Sequence, residues 1–213
     1  MNPRPRKLRL LRWLPASLFL IDGPSAGRKL YLSFDDGPDP EYTPKVLDLL
    51  AANDARASFF LVGGRAEQYP DLVRRMVSEG HMIGNHSFSH PAFEQLSLSA
   101  QLEEVAHTDR VLATFDGQAQ HAFRPPCGVL PLPLVLNFAW RRRNIAYWSF
   151  DSLDYQRRPT AELAELLRQQ PPRAGDVVLM HDDSAHTMEL LEILLPEWRA
   201  QGFAMEALPG RAA

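Results

Sequence analysis

The sequence predicts an α/β fold: a distorted, small or incomplete (β/α) barrel of seven strands, with its chemistry at the carboxyl ends of those strands. Three observations lead there. From Lys29 onward, short apolar runs alternate with segments of helical periodicity. Seven such runs fit into about 180 residues, which suits a small barrel better than an open doubly wound sheet. Five of the seven runs end in ionisable groups, as expected where polar chemistry sits just past several different strands.

The expected strands are Leu30–Phe34, Ala57–Val62, Met82–Gly84, Ala122–Arg124, Ile145–Trp148, Val177–Met180 and Phe203–Leu208. Between the first two, Thr43 would cap a helix whose first residue is Pro44, with Val46, Leu47, Leu49 and Leu50 on one face. Gly80 would stop the next helix, Pro70–Glu79. Further helices are expected over Ser99–Phe115, Leu132–Arg142, Thr160–Gln170 and Thr187–Gln201. No internal repeat and no long linker divides the chain, so residues 23–213 read as one domain behind an arm of residues 1–22.

Composition narrows the chemistry. The 213 residues are 45% hydrophobic and 23% charged, which is a globular balance with room for a full core. One cysteine, Cys127, makes no internal disulfide and no cysteine-rich zinc site, so any metal must be held by histidine and carboxylate. No stretch reaches the roughly 18 to 20 uninterrupted apolar residues of a membrane-spanning helix. Net charge is −3 and unevenly placed: Arg4, Arg6, Lys7, Arg9 and Arg12 precede the first acid, Asp22. The body that follows carries the acidic excess, which argues against a nucleic-acid partner. The arm mixes those cations with Leu8, Leu10, Leu11, Trp13, Leu14, Leu18, Phe19, Leu20 and Ile21. A secretory signal, a membrane-surface contact and a packed arm all fit this text, although Pro15 shortens the apolar part and no small-x-small cleavage site follows.

Five constellations lie at strand ends. After the first strand comes Ser33-Phe34-Asp35-Asp36-Gly37-Pro38, two neighbouring acids that a turn would let diverge around one point; the same residues also make an ordinary solvated turn. After the third come His86 and His90, four apart, which on one helical turn would share a face and could grip one ion together with a carboxylate from the acid pair. Arg124 precedes two prolines, Cys127 and Gly128, and reads either as a surface arginine on a stiff loop or as a guanidinium aimed inward at a carboxylate. Asp151, Asp154 and Tyr155 follow the fifth strand, and His181, with Asp182 and Asp183, follows the sixth.

Taken in order, these five segments resemble the polysaccharide deacetylase family, which shares its domain with the nodulation-type chitooligosaccharide deacetylases (carbohydrate esterase family 4). The signatures matched are Thr/Ser-Phe-Asp-Asp-Gly-Pro, His-Ser/Thr-x-x-His, Arg-Pro-Pro-aromatic-Gly, Asp-x-x-Asp-Trp and Leu-x-His, spread from about Leu30 to Leu208. The resemblance implies a distorted barrel of about seven strands and a metal-dependent hydrolase that removes acetyl groups from N-acetylated sugars in a glycan. Carried over residue by residue, it implies that Asp36, His86 and His90 bind a divalent metal, zinc first, with cobalt, nickel or manganese as alternatives. Asp35 would be the general base and His181 the acid that protonates the departing amine. Arg124 would orient Asp35, and Asp154 would orient His181. The main-chain N–H of Cys127 would help hold the oxyanion.

Two positions depart from the family pattern. Cys127 stands where Tyr or Phe is usual and Tyr155 where Trp is usual. A main-chain donor survives the first change, but an aromatic wall of the sugar site would be lost. A related amidohydrolase acting on a non-glycan amide or formyl group, and a catalytically weakened sugar-binding homologue, are the competing readings. A peripheral membrane contact through the arm and a cytoplasmic location are expected, with secretion to the periplasm or beyond as the alternative.

Overall fold

The computed structural model describes residues 3–5, 13, 15, 17–156 and 158–209. Its strands are β1 (Phe19–Leu20), β2 (Lys29–Asp35), β3 (Ser58–Leu61), β4 (Met82–Asn85), β5 (Ile145–Ala146), β6 (Phe150–Asp151), β7 (Val177–His181) and β8 (Ala204–Glu206). The helices are α1 (Thr43–Ala52), α2 (Gly63–Gln68), α3 (Pro70–Ser78), α4 (Leu98–Asp116), α5 (Leu132–Trp140), α6 (Thr160–Gln169) and α7 (Ala185–Ala200). The ladder runs β4-β3-β2-β7-β6, with β8 also on β2, and every paired strand is parallel. Single bridges continue the wall from Asn85 through Phe123 to Ile145, and β1 pairs the same strand as Phe123 does. An antiparallel bridge from Asp22 to Asp176 leads back toward β7. The wall is that of a distorted barrel, laddered on one side and joined by single bridges on the other.

Strand alternation explains where the site stands. On β2, Leu30, Leu32 and Phe34 face the helices and join Phe59, Leu61, Val178 and Met180 in the larger apolar core, with Leu47, Leu50, Leu191 and Trp198 from α1 and α7. The intervening residues, Tyr31, Ser33 and Asp35, therefore point to the other face, inside the barrel. There Tyr31 packs with Phe60, Ala146 and Val177. Asp35 is the last of that inward row, and its register partner on β7 is His181. A base candidate and an acid candidate thus meet at the same end of adjacent parallel strands.

Several elements differ from expectation. Ala122–Arg124 is reduced to one bridging residue, Phe123, with isolated bridges to Asn85 and Ile145, because Pro125 and Pro126 have no N–H to extend a ladder. The run Ile145–Trp148 keeps only Ile145–Ala146 as β5, and the chain then bends so that Ser149 receives the N–H of Val177 on its hydroxyl before β6 begins. The helix α1 starts at Thr43 rather than after it. Asp39 accepts the N–H groups of Glu41 and Tyr42, while the Thr43 hydroxyl takes the Asp39 N–H and donates to buried Asp182. The short α2, opened by Gly63 and Gly64, and the short strands β1 and β6 were not anticipated.

Candidate active site

At the end of β2 the adjacent acids do diverge. Asp35 stays in the strand and Asp36 turns into the left-handed region at φ 74°. Gly37 is required next, since a Cβ there would stand 2.3 Å from the Asp182 carboxylate. Arg124 is fully buried, not a surface arginine. Its guanidinium donates to Asp35 at 2.7 Å, to the Ser33 hydroxyl at 3.0 Å and to the Tyr147 carbonyl at 2.9 Å, and lies 3.9 Å over the Phe60 ring. So buried a cation is tolerable because a carboxylate, two further acceptors and a ring face surround it. The result is a carboxylate held in one position.

The two histidines share a site, but through a loop and not the helical turn expected from their spacing. Ser87 and His90 both have positive φ, 66° and 55°. What holds the loop is external: Gly63 and Gly64 of α2 donate to the carbonyls of Ser87 and Phe88, and Glu104 of α4 accepts the N–H groups of Phe88 and Ser89. Asn85 accepts the Ser87 N–H. A Cβ on Gly63 would stand 2.7 Å from Thr108 and 2.8 Å from Phe88, so the close approach of α2 depends on that glycine. None of Gly63, Gly64 or Glu104 stood out in the sequence, where a Gly-Gly pair before a charged segment reads as a plain turn.

The chemistry of the donor set fits a metal ion. His86 Nδ1 lies 2.8 Å from the Arg124 carbonyl, which can only accept, so Nδ1 carries the proton and Nε2 keeps its lone pair. That Nε2 is 3.4 Å from Asp36 Oδ1, and His90 Nε2 is 3.3 Å from the same oxygen. Asp36 Oδ1 is buried and has no hydrogen-bond partner among the described residues. One donor atom from each of the three residues lies within 4.8 Å of the others, a spacing that metal bonds of about 2.1 Å can span once drawn in. Burial pushes the Asp36 carboxyl up, but positive charge on His86, His90 and His181, when those rings are protonated, outweighs it and holds the group well below the usual carboxylate range; a bound cation would take the place of that charge. Burial also lowers His90, against the pull of Asp36, which favours the neutral, ligating form.

On the opposite wall, His181 Nδ1 donates to Asp154 at 2.9 Å, and the His181 N–H donates to the other Asp154 oxygen at 2.7 Å. Thr187 of α7, another residue the sequence reading missed, adds a third bond to Asp154 at 2.9 Å. Burial would lower the His181 pKa, yet the bond and charge of Asp154, with Asp35 and Asp36 beyond, raise it to about 10. Asp151 is buried nearby and pushed up to about 6 by burial, against the Leu153 N–H that lowers it. A cleft of about 580 Å³, within the usual range for a small-ligand site, brings together Asp35, Asp36, His86, His90, His181 and Cys127. Tyr155, more than half exposed, meets the His181 ring edge-on at 5.8 Å. Trp148 also lines the cleft, packed so closely over Gly128 that a Cβ there would meet it at 2.9 Å. An aromatic wall therefore exists beside Cys127, supplied by another residue.

Part of the basic arm also enters this region. Pro3 is buried and accepts the Asp151 N–H, Pro5 lines the cleft, and Arg4 pairs with Asp176 at 2.7 Å. Arg4 is thereby engaged by the barrel; Arg6, Lys7, Arg9 and Arg12 lie outside the described residues.

Comparison with known proteins places this site in context. A family model described as polysaccharide deacetylase matches residues 22–135. A peptidoglycan-N-acetylglucosamine deacetylase of Bacillus cereus is 32% identical over 203 residues, covering 92% of this chain and 73% of the relative. A chitooligosaccharide deacetylase of Rhizobium leguminosarum bv. trifolii is 29% identical over 201 residues, covering 87% and 92%. Among solved structures, the Bc1960 peptidoglycan N-acetylglucosamine deacetylase superposes with a TM-score of 0.83 at 29% identity over 92% of this chain and 93% of that one. A family 4 carbohydrate esterase from Streptomyces lividans gives 0.76 at 30% identity, over 84% and 92%.

Proposed function

The chain belongs to the polysaccharide deacetylase family and is a glycan N-deacetylase, and we propose that Asp36, His86 and His90 hold its divalent cation while Asp35 and His181 handle the protons. The observation that carries this division is the Asp36 oxygen, without a partner among the described residues, facing two imidazole nitrogens, beside a second carboxylate already committed to Arg124. Three protein ligands form the catalytic rather than the structural pattern of a metal site, and zinc suits one carboxylate with two imidazoles. Bound there, the cation supplies Lewis acidity toward water and the acetamide carbonyl.

The remaining work falls to this chain's own groups. Asp35, locked by Arg124, accepts the proton of the attacking water. The Cys127 N–H donates to the oxygen on which negative charge develops, and a main-chain donor already fixed in place needs no reorganisation to do so. His181 is raised to about 10, so it enters the reaction protonated and delivers that proton to the departing sugar amine. Asp154 holds the ring by Nδ1 and leaves Nε2 as the donating atom. Trp148 and Tyr155 offer faces for a sugar ring, and the substrate class proposed is an N-acetylglucosamine-containing glycan, as in the relatives' names.

For location, the proposal is a cytoplasmic enzyme working at the inner face of a membrane, on a saccharide that is still lipid-linked. Arg6, Lys7, Arg9 and Arg12 of the arm would contribute to that contact. The deciding experiment is acetate release by the metal-loaded protein from N-acetylglucosamine oligomers, peptidoglycan fragments, lipid-linked sugars and small formyl or acetyl amides. Turnover confined to the small amides would replace the glycan reading with that of a related amidohydrolase.

A further inference from the structure

Helix α5 is apolar on two sides. Leu134, Phe138 and Val135 pack inward on Phe19, Phe93 and Phe123. On the other side Leu132, Leu136 and Trp140 follow one another at four-residue spacing, within an arc of about 80° around the helix. They are 67%, 63% and 80% exposed. The helix has no charged residue, and Asn137 is its one polar side chain. A solvent-facing helix is normally polar on its outer side; one that is apolar all round belongs against something apolar.

The surroundings indicate what that is. Residues 117–150 contain no Asp or Glu, in a chain whose net charge is −3. Exposed Arg141 and Arg142 follow the stripe at once, and the Arg141 guanidinium lies 5.9 Å from the Trp140 ring. Arg143 turns inward to Asp109, and Glu103 on neighbouring α4 is occupied by Arg110. Leucines flanked by a tryptophan and by arginines are the composition of a helix lying in the interface of an anionic bilayer. A second copy docked through the same patch would set a basic edge with no acids against itself, which is a poor match. At its other end the stripe begins at exposed Val129, next to Cys127 and Gly128 in the cleft wall.

We propose that the outer face of α5 docks on an anionic lipid bilayer, with the barrel lying side-on and the cleft lip at the membrane surface. The contact goes beyond the deacetylase reading, which it uses only for its purpose: bringing the cleft to a lipid-linked glycan.

Flotation of the full chain with vesicles of phosphatidylglycerol and phosphatidylcholine, against phosphatidylcholine alone, tests it. The parent should bind only the anionic vesicles. Leu136→Ser with Trp140→Ser should weaken binding about tenfold, through lost apolar insertion. Arg141→Ser with Arg142→Ser should weaken it about as much and remove most of its salt sensitivity. Thermal midpoint and acetate release from a soluble oligomer should be unchanged in both. Unimpaired vesicle binding by the Leu136/Trp140 variant would overturn the proposal, as would binding abolished only by neutralising Arg6, Lys7, Arg9 and Arg12. A parent dimer that the same variant dissociates would assign the face to a second copy instead. Vesicle binding as expected, with no acetate release from any glycan, would leave the docking surface standing and remove the deacetylase reading.

Discussion

Two buried clusters of acids and cations lie within one barrel, and they are built to opposite rules. Around Asp109 of α4 both carboxylate oxygens are taken. Oδ1 accepts from Asn85 at 2.9 Å, from Arg143 at 2.9 Å and from the His121 N–H at 3.3 Å, and Oδ2 accepts from Arg143. The far side of the His121 ring is 3.1 Å from Asp116. Around Asp36, by contrast, Oδ1 is buried without a partner among the described residues, and two imidazole nitrogens face it at 3.3 and 3.4 Å. Backbone conformation differs as well: Asp36, Ser87, His90, Cys127 and Leu153, all at the cleft or on its histidine loop, have positive φ, whereas Asp109 itself is helical and positive φ beside its cluster falls on Arg142, next to Arg143. The guanidinium Nε is unpartnered in both clusters, at Arg124 and at Arg143, so that feature does not discriminate. A satisfied carboxylate on ordinary backbone is a structural tie; an unsatisfied one, on strained backbone beside a cleft, is a place prepared for a ligand. Asn85 connects the two, with its amide nitrogen on Asp109 and its oxygen on the Ser87 N–H.

The largest effect should come from the unsatisfied cluster. Asp36→Asn or His86→Ala should empty the protein of metal and lower acetate release on the order of a thousandfold, the several kcal/mol that a Lewis acid contributes. Chelation of the parent should do the same, and added zinc or cobalt should restore it. Metal analysis showing Asp36→Asn still loaded would break the contrast at its centre.

Next in size, Asp35→Asn should keep the metal and lose turnover about a hundredfold or more, the worth of a general base. An Asp35 variant that empties the site while the Asp36 variant stays filled would exchange the two roles. For the satisfied cluster the readout is different. Asp109→Ala leaves Arg143 buried without its carboxylate and should cost about 3 kcal/mol of stability, read by urea unfolding. Turnover per folded molecule should fall far less than for Asp36→Asn, through Asn85 alone.

Asp109 and His181 should also respond to opposite ends of the pH scale. Burial pushes Asp109 up, but His121, Arg143 and Asn85 hold it at about 2. A depressed acid stabilises the fold above its unfolded pKa of about 4, and that contribution is lost as pH falls from about 4 through 2. His181 is raised to about 10, so its contribution is complete below its unfolded pKa of about 6.5 and is lost as pH climbs from there through about 10. Unfolding free energy of chelated protein, measured across pH, should have a shallower acid slope in Asp109→Ala and a shallower alkaline slope in His181→Gln. The reverse pattern would show the ion pairs misassigned.

Much of this was legible because the site sits on regular elements. Alternation on β2 fixes which of Ser33, Phe34 and Asp35 face the barrel interior, and the order of motifs along the chain follows the strand ends. The missing parts are those that regular periodicity cannot encode. His86 and His90 converge through positive φ values held by Glu104 and the α2 glycines, a tertiary arrangement without a local signature. Residues 3–5 pack at the cleft through partners some 150 positions or more away. Trp148 takes a wall position that the motif assigns to residue 127, so the identity at one position concealed what the fold provides at another.

Cys127 gives the smallest expected effect and a sharp test of that last point. It is the protein's one thiol, exposed and free, held at φ 53° in the cleft wall. Two roles are open to it: a nucleophile working through sulfur, or a main-chain donor whose side chain is incidental. Asp35 and the metal ligands already account for activating water, and an N–H donor is indifferent to what its side chain carries. Cys127→Ser keeps the N–H and nearly the size of the side chain, so kcat/KM on an N-acetylglucosamine oligomer should stay within about threefold of the parent, under 1 kcal/mol of transition-state stabilisation. Loss of a nucleophile would cost orders of magnitude in kcat. Substitution is the right probe because alkylating the thiol would obstruct the cleft in either case. A hundredfold fall in kcat for Cys127→Ser, with metal content and thermal midpoint intact, would make the sulfur a participant and move the centre of the reaction away from Asp35.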